Sequence, residues 1–223
     1  MRKSLLLLIL SMPLAFTHAQ EKRPDRGFTA GFYAEAGWNL PVRLTTKYIT
    51  EETSPWHGYQ SWCAGGSVSW MISEFYRIDI APCWSWHKIG FELSPPIYDQ
   101  SRIYTESFSL LSIPVTFKRY LHNSFFISAG TIVDFPYKEK PEWVDPQSGL
   151  GLTLGIGWIS QIDDFVIDLS PVAQLHSVVP FISEDNQQRL FVTALRICIS
   201  YNWNSSINSA IENKLNVVTD PDF

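Results

Sequence analysis

The chain has 223 residues, of which 45% are apolar and 14% aromatic, with nine Trp and only 17% charged residues. An ordinary soluble domain carries about 25% charge, so much of this outer surface does not face water. A net charge of −5 argues against a nucleic-acid partner, and three cysteines (Cys63, Cys83, Cys198) are too few for a disulfide scaffold.

The first element is a leader. Met1-Arg2-Lys3-Ser4, an apolar run from Leu5 to Phe16, then Thr17-His18-Ala19-Gln20 is the layout of a Sec signal peptide cut after Ala19. The apolar run is shorter than the roughly 20 residues of a spanning helix, and no cysteine follows it to take a lipid. The domain plan is a signal peptide over 1–19, an N-terminal periplasmic segment over 20–26, a β-barrel domain over 27–203 and a C-terminal periplasmic tail over 204–223.

From Phe28 onward the dominant pattern is alternation with a period of two, the mark of strands with one apolar face. The first strand sets Phe28, Ala30, Phe32, Ala34, Ala36 and Trp38 against Thr29, Gly31, Tyr33, Glu35 and Gly37. The second sets Trp62, Ala64, Gly66, Val68, Trp70 and Ile72 against Ser61, Cys63, Gly65, Ser67 and Ser69. In the third, Tyr76, Ile78, Ile80, Pro82, Trp84 and Trp86 oppose Phe75, Arg77, Asp79, Ala81, Cys83, Ser85 and His87. The fourth carries Leu111, Ile113, Val115 and Phe117 against Ser112, Pro114, Thr116 and Lys118; its phase fails over Ser107–Leu110, where a bulge is expected. The fifth opposes Phe125, Ile127, Ala129, Thr131, Val133 and Phe135 to Phe126, Ser128, Gly130 and Asp134. The sixth puts Leu150, Leu152, Leu154, Ile156 and Trp158 in front of four residues that include three glycines. The seventh sets Phe165, Ile167, Leu169, Pro171, Ala173 and Leu175 against Asp168, Ser170, Gln174 and His176. The eighth sets Leu195, Ile197, Ile199, Tyr201 and Trp203 against Ala194, Arg196, Cys198, Ser200 and Asn202. Pro82 and Pro171 each remove a ladder donor, which points to further bulges.

The links alternate long and short. Residues 39–58, 88–104, 138–147 and 179–189 are long; those around Ser73, over 119–124 and over 160–164 are short. This predicts an all-β, eight-stranded antiparallel up-and-down transmembrane β-barrel with short periplasmic turns and longer outer loops, in the outer membrane. A soluble barrel of the lipocalin kind gives the same alternation. Two things favour the membrane. The apolar face ends in aromatic girdles, Trp38, Trp84 and Trp86 at one rim and Trp70, Tyr76, Phe117, Phe125, Trp158, Phe165, Tyr201 and Trp203 at the other. The opposite face is small, as a narrow eight-stranded lumen requires.

Leu111-Ser112-Ile113-Pro114-Val115-Thr116-Phe117-Lys118-Arg119-Tyr120, followed by Phe125-Phe126-Ile127-Ser128-Ala129-Gly130, resembles the central hairpin of the PorT-like outer-membrane β-barrel family of Bacteroidetes. The resemblance implies an eight-stranded outer-membrane barrel and no particular activity. This chain departs from it in continuing past Trp203, with Ile207, Ile211 and Leu215 at helical spacing in the tail.

The inner face collects Glu35, Arg77, Asp79, Lys118, Asp134, Asp168 and Arg196. In a narrow low-dielectric interior such charges must pair, which makes them a structural plug; an ion or proton path is the alternative. Ser85 and His87, two apart on one face, raise a membrane-embedded lipid hydrolase of the lipid A deacylase kind. Cys63 and Cys83 share the lumen face of one hairpin, and both a disulfide and two free thiols stay open; the loop length decides whether they are directly opposed or offset by two. Cys198 and His176 read as lumen fillers. Tyr48, Trp56, His57, Tyr59 and Pro95, Pro96, Ile97, Tyr98 in the outer loops suit protein or glycan contact or packing over the mouth. No cofactor or metal motif is read. The function expected is a non-enzymatic outer-membrane barrel, probed against a hydrolase and a small pore, with outer-membrane lipid as its solvent and a monomeric state.

Overall fold

The computed structural model describes residues 27–43, 56–93, 102–121, 124–137, 145, 147–182 and 188–203. The expected leader, residues 20–26, the tail, Tyr48 and Pro95–Tyr98 lie outside the described residues.

Nine strand segments follow in order: β1 (Phe28–Arg43), β2 (Trp56–Ser73), β3 (Tyr76–Ile80), β4 (Cys83–Leu93), β5 (Arg102–Tyr120), β6 (Phe125–Tyr137), β7 (Gly149–Ile162), β8 (Phe165–Pro180) and β9 (Gln188–Asn202). The segments β3 and β4 are halves of one crossing, because each pairs with β2 on one side and β5 on the other. Every neighbour is antiparallel and β1 pairs with both β2 and β9, so the sheet closes. This is an eight-stranded up-and-down barrel without a free edge, the form in which strands cross a membrane.

The two prolines act differently from the expected bulges. Pro82 marks the break between β3 and β4, where the sheet is held by Gly66 N donating to Pro82 O (3.1 Å) and Ala81 N donating to Pro114 O (3.0 Å). At Pro171 the β7–β8 pairing lapses between Gly155↔Val172 and Trp158↔Leu169, then resumes in the same register; the missing N–H is the cause. A real bulge falls elsewhere, opposite Gly151, where Leu150 pairs with Val179 but Leu152 with Leu175. Ser177 there has φ 53°.

The bulge expected over Ser107–Leu110 is absent. Pairing of β5 with β4 runs through it without a shift, and pairing with β6 starts inside it at Ser109 in the register it keeps thereafter; Phe108 and Leu110 simply point inward. Their apolar character broke the expected phase because the outer end of the lumen is itself apolar.

The strands are also longer than the alternation indicated. β2 has 18 residues and β5 has 19, against about 9–11 for a tilted crossing of the hydrocarbon. Pairing continues to Arg43↔Gln188 and Leu93↔Arg102, so the sheet outlasts the length that a crossing of the hydrocarbon needs. Trp56, His57 and Tyr59, expected in a loop, belong to β2. At the other end the turns are tight: Glu74–Phe75 and Asp163–Asp164, with Asp163 at φ 53°, a position that Asp tolerates through its short polar side chain. Phe75, expected inside, is exposed in its turn.

The faces are otherwise as the alternation predicts. Phe32 is 82% exposed and Leu154 62%, whereas Asp134 and Asp168 are 0% exposed. Aromatic pairs ring the periplasmic end: Phe28–Trp203 (5.8 Å), Phe165–Tyr201 (5.6 Å) and Tyr76–Phe117 (5.2 Å). Trp62–Trp84 (4.9 Å) marks the outer belt. An apolar wall this exposed has lipid, not water, as its solvent.

Candidate functional site: the sealed lumen

The inward face is layered along the barrel axis. At the periplasmic end Met71, Tyr120, Phe126, Ile159 and Val166 pack as one buried cluster. At the outer end Ile89, Phe108, Leu110, Leu190 and Val192 form a second. Neither cluster was anticipated as such; only Phe126 was already placed inside. The signal was available in part, since Tyr120, Phe126 and Val166 are bulky residues in the inward phase.

Between these two apolar layers lies the charge network, and all seven expected residues belong to it. They form three groups. In the lowest, Arg77 Nε donates to Asp79 Oδ1 (2.5 Å) and Arg77 Nη2 to Ser69 Oγ (2.6 Å). Lys118 Nζ bridges Asp79 Oδ2 (2.6 Å) and Asp168 Oδ2, and it sits 4.6 Å from the Phe126 ring centroid, on top of the lower apolar layer.

The second group surrounds Glu35. Arg196 Nε, on the neighbouring strand and directly opposite in register, donates to Glu35 Oε1 (2.5 Å). Gln174 Nε2 reaches Glu35 Oε2 (2.9 Å) from β8, and the Tyr33 hydroxyl also donates to Glu35. The Arg196 guanidinium lies 5.1 Å from the Tyr33 ring centroid.

The third group is nearest the outer cluster. Asp134 accepts from Ser112 Oγ (2.7 Å) and bonds His176 Nδ1 (2.9 Å). His87 lies beside it, its ring 5.4 Å from that of His176. His176, read from the sequence as a filler, is therefore the partner that Asp134 requires. By ordinary charges the sealed region holds four carboxylates (Glu35, Asp79, Asp134, Asp168) against Arg77, Lys118 and Arg196, and His176 is placed to be the fourth cation.

This compartment has almost no free space. The cavity bordered by Tyr33, Cys63, His87 and Gln174 has a volume of about 10 Å³, roughly the room one water needs. Above it, Asp145 and Gln147 fold back on β9: Gln147 Nε2 donates to Gln188 O (3.1 Å) and Gln188 N to Asp145 Oδ2 (3.1 Å).

Ser85 and His87 do meet, with Ser85 Oγ 3.1 Å from His87 Nε2. The other ring nitrogen faces Ser61 Oγ at 2.9 Å, not a carboxylate. Asp134 is held by Ser112 and His176 instead. A hydrolytic triad needs one imidazole between hydroxyl and acid, and here those contacts are divided between two rings, both facing the closed interior. Among the described residues no group of three His, Cys, Asp or Glu is arranged to hold a metal ion.

Cys63 and Cys83 are buried free thiols. Cys63 opposes Ser85 and Cys83 opposes Gly65, so the offset-by-two arrangement is the one adopted. Cys198 fills the wall beside Ser67, 3.0 Å from its hydroxyl.

No protein-family model and no curated protein matches this chain. Among solved structures it is similar to the outer membrane protein OprG from Pseudomonas aeruginosa, with a TM-score of 0.51 and 10% identity, covering 82% of this chain and 98% of that one. Ail, the attachment invasion locus protein of Yersinia pestis in complex with the heparin analogue sucrose octasulfate, aligns with a TM-score of 0.41 and 10% identity over 78% of this chain and 99% of that one. The likeness to OprG is one of fold. It is the fold of an outer-membrane barrel, and the exposed apolar belt is what that location demands.

Proposed function

We propose that this protein is a non-enzymatic scaffold of the outer membrane, a monomeric barrel of the PorT-like kind that holds its outer loops above the lipid for contact with an envelope protein or glycan. The observation that carries the reading is the closed lumen: charges paired in the middle, apolar residues packed at both ends. Such an interior spends its polar groups on holding opposite walls together and leaves no path for a solute. Strands that continue past the hydrocarbon add a rigid base for whatever residues 44–55 and 94–101 contact. A Cys63–Cys83 disulfide belongs to the proposal as the form of the same wall left when a disulfide donor of the periplasm exchanges with the two thiols and departs as its own dithiol, detected by intact mass as the loss of a hydrogen pair.

The reading is tested by trimming residues 44–55 and 94–101 to short Gly-Ser links and measuring binding of the folded protein to envelope extracts and glycan arrays. Binding by the intact chain that is lost on trimming supports a loop-presenting scaffold; binding that survives trimming removes it.

A lipid hydrolase is the second reading, favoured by one contact, Ser85 Oγ to His87 Nε2. Lipid A mass spectra from cells carrying the intact chain or Ser85→Ala discriminate. Identical spectra, also identical to cells lacking the protein, leave the scaffold.

A further inference from the structure

We infer that the lipid-facing wall carries a built site for one anionic glycerophospholipid. A single hydrogen-bonded row of outward positions runs across six strands: Trp38 pairs with Thr193, Thr193 with Ala173, Ala173 with Leu154, Leu154 with Ala129 and Ala129 with Phe117. Three of these, Thr193, Ala173 and Ala129, are small, while Trp38 and Leu154 between and beside them stand far out from the wall, 71% and 62% exposed. The result is an open hollow of about 980 Å³, twice the volume of the hollow of about 500 Å³ beside Phe32, Ala64 and Ile197 on the same wall. It falls within the range of about 300–1,000 Å³ that ligand sites occupy.

The row is oblique, because the strands of a closed barrel are staggered. Trp38 lies toward the outer half of β1, whereas Phe117 lies close to the periplasmic end of β5. At that lower end the hollow is bordered by the exposed guanidinium of Arg119, which pairs with Ile127 in the next row. The rest of its lining is almost wholly apolar.

An apolar trough in hydrocarbon must be filled, since a void forfeits the dispersion contacts of its lining. The filler at hand is an acyl chain. Trp38 stands as an upper wall and the small residues form a floor for that chain. Arg119 sits where the chain joins its head group, and a guanidinium matches a phosphate in charge and in bidentate geometry. The occupant is therefore a lipid with an anionic phosphate head and an acyl tail, seated from the periplasmic leaflet.

The test uses the full chain folded in mixed micelles containing equal phosphatidylglycerol and phosphatidylcholine, read by native mass spectrometry. A single bound phosphatidylglycerol is expected, preferred by about tenfold. Arg119→Gln is expected to abolish the preference, and Ala129→Leu with Ala173→Leu to remove the adduct; heat-modifiable mobility on gels verifies that each variant is folded. Should the double variant fail to fold, Arg119→Gln decides alone. No preferred adduct on the wild-type chain overturns the inference, and so does an adduct unchanged in a folded filled variant. A dimer that the filled variant dissolves assigns the hollow to a second copy and equally overturns it.

Discussion

Lys118 and Asp168 meet across the barrel interior, one from β5 and the other from β8, with two strands between them around the wall. Lys118 also holds Asp79 on β3, so one ammonium ties three strands together. Replacing Lys118 with Met leaves two buried carboxylates without that cation, and breaking a buried pair costs about 3–5 kcal/mol. Urea titration of folding in lipid vesicles is expected to show a loss of this size. Lys118→Met combined with Asp168→Leu is expected to recover part of it, because neither charge then remains buried alone.

His176 and His87 are adjacent rings with different duties. His176→Leu strips Asp134 of the ring nitrogen it bonds, the group placed to balance its charge, and is expected to cost about 3–5 kcal/mol. His87→Leu deprives only the hydroxyls of Ser61 and Ser85, and the expected cost is about 1–3 kcal/mol. The same titration compares them; equal costs would mean that His176 does not compensate Asp134.

The wall has a depth profile. Leu154, 62% exposed in the middle of β7, is expected to lose about 2–4 kcal/mol on replacement by Arg, the cost of a cation near the bilayer midplane. Leu40, 50% exposed on the outer stretch of β1, lies where that cost falls to about 0–1 kcal/mol. A reversal of this order in vesicle folding experiments would move the hydrocarbon belt along the barrel.

Much of this was legible from residue order because a crossing strand has one solvent on each face. The run from Tyr76 to His87 fixes its inward residues, Arg77 through His87, by parity alone, and the alternating link lengths fix the up-and-down order. The outer ends were not legible. At the outer end of β1, Leu40 and Val42 carry the outward apolar phase past Trp38, but Pro41 and the polar run from Arg43 onward read as loop. Inside that same end Phe108 and Leu110 point toward an apolar layer, so the expected contrast between faces disappears and mimics a bulge. Parity also says nothing about rotation around the axis. It placed Asp134 and His176 inside, but their contact depends on both strands flanking β7, and Glu35–Gln174 on β1 and β8 facing each other across β9. Tyr33 was assigned to the inward face without its role as a donor to Glu35 for the same reason.

The Pro171 lapse makes a further expectation. Opposite it, Ile156 lacks a ladder partner on β8, whereas the Gly157 amide points to β6, where Gly157 stays paired with Phe126; the Ile156 amide is therefore expected to exchange with deuterium faster than those of Leu152 and Leu154 in the same strand. Hydrogen-exchange mass spectrometry with overlapping β7 peptides reads the difference, and uniform protection along β7 would show the ladder to be continuous.

A lumen closed at both ends around paired charges is the feature on which the scaffold role depends. Single-molecule recording of the purified barrel in a planar bilayer is the direct measurement. A flat baseline under applied voltage, with no unit steps above that of the bare membrane, is the predicted record. Stable, repeatable conductance steps from the folded chain would contradict it, because ions would then be crossing the apolar layers that Met71 and Phe126 form at one end and Phe108 and Leu190 at the other.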